Sequence, residues 1–512
     1  MTMTEPQRGQ PGTWRYLAFW RGDGDMDLKA TLAGLPCNDM HAAHLVAGEI
    51  WPGELHHATD LGRWHVWDGR CHRPDDCALI DRKINQLTWW CEAVIGQARQ
   101  QVAAQVTAAN PGADTKTVGQ AIKTAWAPWG EAEKYAAGLR RTAGLTALRT
   151  RLAGVCGVNE AWLEDGLPDY LNVANGILHL PTLTLHPHDP RARITYCVPV
   201  AWNPQASCPW FNAMALRACD GSQVVADYLI RVLGYCLIGD NREQKIFFLS
   251  GDTGSGKSQV LGAIAEVLGT LHHSSQNSLI SVERNGRNAR VEWSCAGARI
   301  VTITETSGHN TTDEAQVKRL TGEAYISVDR HYSKTEVKVK VTFTIIQSTN
   351  EMQTLTNFDS AMGRRVEVLP MSKIEIPSEQ QVKGLGKLVA DREAEGILAL
   401  LASAAQAYYA EGLHPPAEVL AETARYRAQQ NTLEDFMAEC VTIVPSLNGS
   451  RPAWAGQSAV WRAYLDHSAG GPRLRKSQFL GQLRDHPAVT YNEGSRRFEG
   501  ISLIEGIEAH ER

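Results

Sequence analysis

Hydrophobic and polar positions alternate at two different periods along this chain, and the change of period marks out its parts. Residues 80–109 carry apolar side chains at helical spacing and stop at Asn110-Pro111-Gly112, a turn signal. Further helical text fills residues 116–156. Residues 171–200, LNVANGILHLPTLTLHPHDPRARITYCVPV, read as short strands between Asn-Gly, Pro and Asp-Pro punctuation. One or two amphipathic helices are expected over residues 210–238. Residues 246–249, IFFL, are then long enough for one buried strand. After a glycine-rich gap, Val260, Leu261, Ile264, Val267 and Leu268 define one helical face, and Gly269 stands where a helix ends.

Two more apolar strands follow. Residues 298–305, ARIVTITE, close on a carboxylate, and residues 341–350, VTFTIIQSTN, close on an amide. Helices are predicted over residues 379–411 and again over 418–444, parted by His414-Pro415-Pro416. The end of the chain has its own pattern. A helix over 457–467 and a second, basic-starting helix with Phe479, Leu480 and Leu483 lead to a hairpin turning at Asn492-Glu493-Gly494. Helix, helix and hairpin within about 80 residues suggest a winged-helix-like domain, whose second helix would meet DNA. Earlier in the chain, a hairpin is expected to turn at Asp68-Gly69.

The gap after the first buried strand carries the chemistry. Gly251, Asp252, Thr253, Gly254, Ser255, Gly256, Lys257 and Ser258 fit G-x-x-x-x-G-K-[ST], with a strand before and a helix after. Glycines let backbone N–H groups close around phosphate oxygens at the positive end of a helix. Lys257 is then placed for the β- and γ-phosphates of ATP and the Ser258 hydroxyl for Mg²⁺. Glu305, at the end of its strand, suits metal ligation or polarising an attacking water, and Asn350 suits sensing the γ-phosphate or that water. Gly363-Arg364-Arg365 follows 13 residues after Asn350. Singly such features are common in α/β domains; in this order after a phosphate loop they support one another. Between them, residues 318–340 form a basic, hairpin-like stretch with Lys318, Arg319, Arg330, His331, Lys334 and Lys338. Pattern alone leaves a solvated ribbon and a loop presented to a phosphate backbone equally open.

Composition narrows the setting. The 512 residues allow two to four domains, and 43% hydrophobic with 21% charged residues is ordinary for a water-soluble protein. A net charge of −5 argues against a protein coated in nucleic acid and leaves room for a local basic channel. The 11 cysteines are odd in number and have no C-x-x-C pair, as expected in a reducing, cytoplasmic compartment. Cys71, His72, Cys77, His41, His44, His56 and His57 match no zinc spacing and are read as core or surface residues. Of 15 tryptophans, 12 precede residue 240, where packing in a helical domain is the preferred use over base stacking. No segment reads as a signal or a membrane span.

These segments together resemble the phage and plasmid primase–helicase family, which includes the poxvirus-type primase–helicase and, within it, the superfamily 3 helicases. HLVAGEI…RWHVWDGRCHRPDD and LNVANGILHL look like the domain preceding the ATPase there. LSGDTGSGKS, RIVTITET, KRLTGE…ISVDRHY, TIIQSTN and GRRVEVLPM look like the phosphate loop, acidic strand end, DNA hairpin, sensor and arginine finger. The resemblance implies an α/β fold: an AAA+-like P-loop ATPase core with a mainly α N-terminal domain and a C-terminal winged-helix-like domain. The expected boundaries are an irregular segment at 1–38, the family N-terminal or collar domain at 39–211, the ATPase at 212–415 and the DNA-binding end at 416–512.

It also implies a hexamer encircling one strand of forked DNA and moving 3′ to 5′, fuelled by ATP and Mg²⁺ in the host cytoplasm. Lys257 and Ser258 would bind phosphate and metal, Glu305 would be the catalytic acid and Asn350 the sensor. Arg365, ahead of Arg364, would be the finger reaching a neighbour's ATP. Lys318, Arg330, His331 and Lys334, with Arg473, Arg475 and Lys476 near the end, would meet DNA. Thr304 stands where many relatives carry a second acid. The 38 residues before Asp39 are too few for a primase domain, so a separate primase or initiator is the expected partner. The expected activity is a replicative helicase. An origin-melting DNA-binding ATPase and an NTP-driven machine that ignores DNA are the alternatives.

Overall fold

The computed structural model describes residues 35–59, 62–75, 78–158, 167–281, 289–304, 312–329, 336–350, 360–372, 374, 381–430, 432–444, 453–468 and 476–504. Contacts divide the chain into two units. The first comprises the spans Met1–Leu167, Ala174–Ile177 and His186–Cys197, and the second Pro168–Val173, Leu178–Leu185 and Val198–Arg512.

In the first unit, helix α1 (Asp39–Leu45) starts on Asn38, whose side chain accepts the His41 N–H at 2.8 Å. Strands β1 (Leu55–Ala58), β2 (Arg63–Trp67) and β3 (His72–Pro74) pair antiparallel, and β4 (Gly157–Val158) adds in parallel to β1. The reversal after β2 falls at Asp68-Gly69, where the Asp68 carboxylate accepts the N–H groups of Arg70 and Cys71 at 2.8 and 2.9 Å. The long helix α2 (Leu79–Ala109) buries Ile80, Ile84, Leu87, Cys91, Val94, Ala98 and Val102, a three- and four-residue stripe. Helices α3 (Thr115–Trp126), α4 (Gly130–Leu139) and α5 (Thr142–Val155) complete the unit. Trp64, Trp90 and Trp126 sit in its core, while Trp89 faces solvent. His56, His65 and His72 are buried on the sheet, and burial, then His72, holds His56 down at about 4. Among the described residues, no group of three or more His, Cys, Asp or Glu is placed to hold a metal ion.

Residues 170–186 form the short strands β5 (Tyr170–Val173), β6 (Gly176–His179) and β7 (Thr184–His186). The second unit contains α6 (Pro209–Ala218) and α7 (Gln223–Tyr235), where one or two amphipathic helices were expected. Its centre is a five-stranded parallel sheet. The strands, in chain order, are β8 (Ile246–Ser250), β9 (His272–Ser275), β10 (Ile300–Thr304), β13 (Thr344–Thr349) and β14 (Val366–Pro370), arranged in space as β14-β8-β13-β10-β9. Phe247, Phe248 and Leu249 of β8 and Ile345 and Ile346 of β13 have no exposure, as strands covered on both faces require. Helix α8 (Lys257–Leu268) follows β8 directly, and short helices α9 (Ala289–Ser294), α10 (Glu314–Gly322) and α11 (Ser360–Gly363) intervene among the later strands. Strands β11 (Tyr325–Asp329) and β12 (Glu336–Lys340) form a separate antiparallel ribbon.

Two predicted helices differ in extent. Helix α12 runs Leu385–Glu411, beginning after Gly384, whose φ of +67° departs from helical geometry. It bends at Glu393, whose carboxylate accepts the N–H groups of Trp210 and Phe211 at 3.1 and 2.9 Å and so caps α6. The helix expected over 418–444 divides into α13 (Ala417–Gln430) and α14 (Thr432–Cys440), followed by strand β15 (Val441–Ile443). The β-branched run Val441-Thr442-Ile443 pairs instead with the last strand of the chain.

The end has its own core of Phe436, Tyr464, Phe479, Leu483 and Phe498. It is built from α14, strand β16 (Trp454–Gly456), α15 (Gln457–His467), α16 (Lys476–Asp485) and strands β17 (Thr490–Asn492), β18 (Arg497–Glu499) and β19 (Ile501–Leu503). No helix among the described residues is long and apolar enough to cross a membrane.

Candidate nucleotide site

The carboxyl ends of parallel strands are where loops can converge on a ligand. At the end of β8 the chain passes through residues 251–256 and enters α8 at Lys257. Gly254 and Gly256 adopt φ of +76° and +102°, conformations costly for any other residue type here. The first-turn N–H groups of α8 therefore face the loop they follow, the arrangement that binds anions. Asp252, Thr253, Gly254 and Ser258 are exposed, while Gly251, Ser255 and Lys257 are buried.

Lys257 organises the loop. Its Nζ donates to Gly251 O at 2.6 Å, Asp252 O at 2.8 Å and Ser255 Oγ at 3.2 Å. It also lies 3.3 Å from Asn350 Oδ1, just beyond the end of β13. A buried ammonium is tolerated only with such a set of acceptors. Strands β8 and β13 are neighbours, with Ser250 opposite Thr349, and that register brings together two residues 93 positions apart. Glu305, which follows β10, lies outside the described residues. So do Arg330, His331, Lys334, Arg473 and Arg475.

The adjacent arginines part company. Arg364 is exposed, whereas Arg365 is 8% exposed and donates to Ala361 O at 2.8 Å and Thr321 Oγ1 at 3.2 Å within its own chain. The burial of Arg365 sets it against the reach across an interface expected of it.

The basic stretch also needs redrawing. Lys318 and Arg319 belong to α10, not to a hairpin. Asp313 caps that helix through the Gln316 N–H at 3.2 Å, and Val317, Leu320 and Thr321 form its buried face. Lys318 pairs with Glu314 one turn earlier, and Arg319 with Glu292, which is 1% exposed. The ribbon itself begins at Tyr325, with Ile326 and Val339 in the core and Lys338 exposed. At the far end of the chain, exposed Lys476 opens α16.

The sequence pattern missed a group of buried polar residues around the same sheet. Glu367 on β14 is bonded by Tyr228 Oη and Lys245 Nζ. Burial, then Glu367, raises the Tyr228 hydroxyl far above its ordinary range. Ser372, beyond β14, joins three segments beside residues 251 and 252. None of these has a motif, and none was singled out from the sequence.

Residues 48–219 match the family described as D5 N terminal like. A protein of Acanthamoeba polyphaga mimivirus, provisionally designated helicase L207/L206, is 24% identical over 241 residues, 44% of this chain. The chain spans only 25% of that relative's length. Among solved structures, the A form apo structure of the NrS-1 C terminal region is similar at 12% identity and a TM-score of 0.34, covering 59% of this chain and 78% of that one. A second apo structure of the same region gives 14% identity and a TM-score of 0.33 over 59% and 77%. Residues 48–219 are thus similar to the D5 N-terminal-like family, and a 241-residue stretch of the chain is similar to a viral protein provisionally designated a helicase.

Proposed function

We propose that this protein is an ATP-dependent DNA helicase of a phage or other mobile element, working as a ring of identical subunits in the host cytoplasm. The observation that carries the reading is the meeting of Lys257 and Asn350, 3.3 Å apart, at the carboxyl ends of two adjacent parallel strands. A glycine loop, a buried lysine and an amide side chain converging there suit recognition of a triphosphate end.

ATP is the substrate. The loop and the first turn of α8 bind its phosphates, and Lys257 exchanges loop carbonyls for phosphate oxygens. The residues also fit a divalent cation: exposed Ser258 presents a hydroxyl beside the loop, and Glu305 follows the strand two places away in the sheet. Mg²⁺ held there supplies charge neutralisation on the phosphoryl oxygens. Asn350 holds the γ-phosphate end in register with Lys257, and Glu305 takes the proton of the attacking water.

Arg364, exposed where Arg365 is not, is the better candidate for the guanidinium given to a neighbour. On the DNA side, Lys338 of the ribbon, with Arg330, His331 and Lys334 from the sequence between its two strands, would follow a strand's backbone. Arg473, Arg475 and Lys476 would approach duplex DNA at the start of α16, with the end of the chain as a winged-helix-like module.

The test is hydrolysis and strand displacement by the purified chain on forked substrates with either a 3′ or a 5′ loading tail. ATP turnover stimulated by single-stranded DNA, and unwinding from the 3′ tail, are expected. Lys257→Ala should lower turnover by about 10²-fold or more, the scale for losing one buried charge-stabilising group. Turnover indifferent to DNA would overturn the helicase reading for a non-DNA machine. DNA-stimulated turnover without displacement would replace it with an origin-melting ATPase.

A further inference from the structure

Ser372 stands two residues beyond the end of β14 and is 4% exposed. Its polar atoms are all engaged, and with different parts of the chain. The N–H donates to Ala218 O, the last residue of α6, at 2.8 Å. The carbonyl accepts the Asp252 N–H at 3.2 Å. The hydroxyl donates to Asp220 Oδ1 at 3.0 Å and accepts the Ile374 N–H at 3.1 Å. One residue earlier, the Met371 N–H donates to Ser250 O at 2.7 Å, so the segment is stitched to the last residue of β8 as well.

Two backbone features show how tightly this junction is built. A β-carbon on Gly251 would lie 2.7 Å from Ser372 O and 2.8 Å from Met371 Cβ. The first glycine of the loop is therefore demanded by the Ser372 segment lying against it. Asp220 takes a left-handed φ of +57°, unusual for a residue with a side chain. Its N–H donates to Arg217 O at 3.1 Å, and that of Gly221 to Leu216 O at 2.9 Å, which closes α6 and aims the carboxylate at Ser372.

The residues touched by Ser372 are the ones that hold the lysine. Gly251 and Asp252 supply the two carbonyls nearest to Lys257 Nζ, at 2.6 and 2.8 Å. We propose that Ser372 and Asp220 are positioning residues for the nucleotide site, a latch that fixes the backbone of residues 251 and 252 and thereby aims Lys257 at the phosphates. The inference rests on reading residues 251–258 as the nucleotide loop. It adds that the loop's first half is set by the segment after β14 and the turn after α6. Neither residue touches the nucleotide. Their effect is on geometry, and small displacements of a phosphate-binding group cost affinity out of proportion to the bond removed.

The experiment measures binding of a fluorescent ATP analogue to the full chain, with thermal melting of the ligand-free protein alongside. Ser372→Ala should weaken binding about tenfold, the scale of one net hydrogen bond, with little change in melting. Asp220→Gly should weaken it to a similar degree, because glycine accepts the left-handed backbone and lacks only the carboxylate. Asp220→Asn, which keeps an acceptor oxygen and tolerates that backbone, should bind nearly as the parent does. The Ser372→Ala/Asp220→Gly double variant should lose no more than either single change.

Parent-like binding by Ser372→Ala and Asp220→Gly would overturn the proposal, as would losses that add in the double variant. Lys257→Ala separates this failure from a wider one. If Lys257→Ala loses the analogue while Ser372→Ala keeps it, the latch alone is wrong. If Lys257→Ala binds as well as the parent, the nucleotide reading falls and takes the latch with it.

Discussion

The two edges of the parallel sheet bury charge in opposite ways. At the carboxyl edge, the partners of Lys257 include four neutral oxygens, two loop carbonyls, the Ser255 hydroxyl and the Asn350 amide. None of those four carries a negative charge. At the amino edge, Glu367 lies between Lys245 and Tyr228, and the Ile246 N–H donates to Arg365 O at 2.9 Å. There charge meets opposite charge within the protein. An ammonium among neutral oxygens can exchange them for an anion's oxygens; an ammonium against a carboxylate has little to gain from a ligand. On the proposed reading, the first edge receives a ligand and the second holds the fold.

The sharpest way to break this contrast is at the adjacent arginines, because one belongs to the holding edge and the other does not. If Arg364 is the residue given to a neighbouring subunit, Arg364→Ala should lower ATP turnover by about 10³-fold and leave stability nearly unchanged. Arg365→Ala should instead lower stability by about 1–3 kcal/mol, since Thr321 Oγ1 and Ala361 O lose a charged donor. Mixing decides whether the effect crosses subunits. Lys257→Ala and Arg364→Ala proteins, each inactive alone, should recover partial activity together. Co-assembled mixtures that remain inactive, or a rate loss confined to Arg365→Ala, would reverse the assignment.

Glu367 offers the next test. Glu367→Ala removes the carboxylate from beside a tyrosine hydroxyl and a lysine whose side chain is 20% exposed. Loss of about 3 kcal/mol in denaturant unfolding is expected, as for breaking a largely buried pair. The protein that remains folded should bind ATP as before, because the change lies at the edge away from the loop. Weakened nucleotide binding with unaltered stability would show that the two edges are not separate in function.

What could be read from the sequence divides along the same line. The glycine loop, Lys257 and Asn350 were legible because they form a local motif or end an apolar run, as β8, β10 and β13 do; β9, His272–Ser275, has no apolar run and gave no such signal. The strand pairing that joins Lys257 to Asn350 is a matter of sheet order and register, which the sequence pattern did not predict. Arg365 could not be separated from Arg364, since neighbouring residues on one motif differ in burial only once α10 and α11 are in place. Lys318 and Arg319 looked like part of a basic hairpin because charge was counted without the helix cap at Asp313 and the acidic partners Glu314 and Glu292. The Ser372 junction had no pattern at all: its donors and acceptors are mostly backbone atoms from distant positions.

The smallest effect concerns protons at the amino edge. His272 opens β9 opposite Ile300, and its Nε2 lies 2.9 Å from Thr302 Oγ1 on the neighbouring strand. Burial, then the neighbouring His273, lowers His272 from 6.5 to about 4. The folded protein therefore keeps this ring neutral where the unfolded chain would protonate it. Its contribution to stability is complete above pH 6.5 and is lost as the pH falls toward 4, because the unfolded state then binds the extra proton. By pH 5 the loss from this one ring is about 2 kcal/mol. His56 in the first unit is lowered in the same sense, so acid should weaken both units and the whole-protein curve cannot isolate His272. A His272→Gln variant can: it keeps a side chain able to bond Thr302 and removes the titration. Its unfolding free energy should fall less steeply than the parent's between pH 7 and pH 5, while the two proteins bind the ATP analogue equally at pH 7. If the two stability curves run parallel over that range, His272 is not held neutral, and the amino edge is open to solvent protons in a way its burial does not allow.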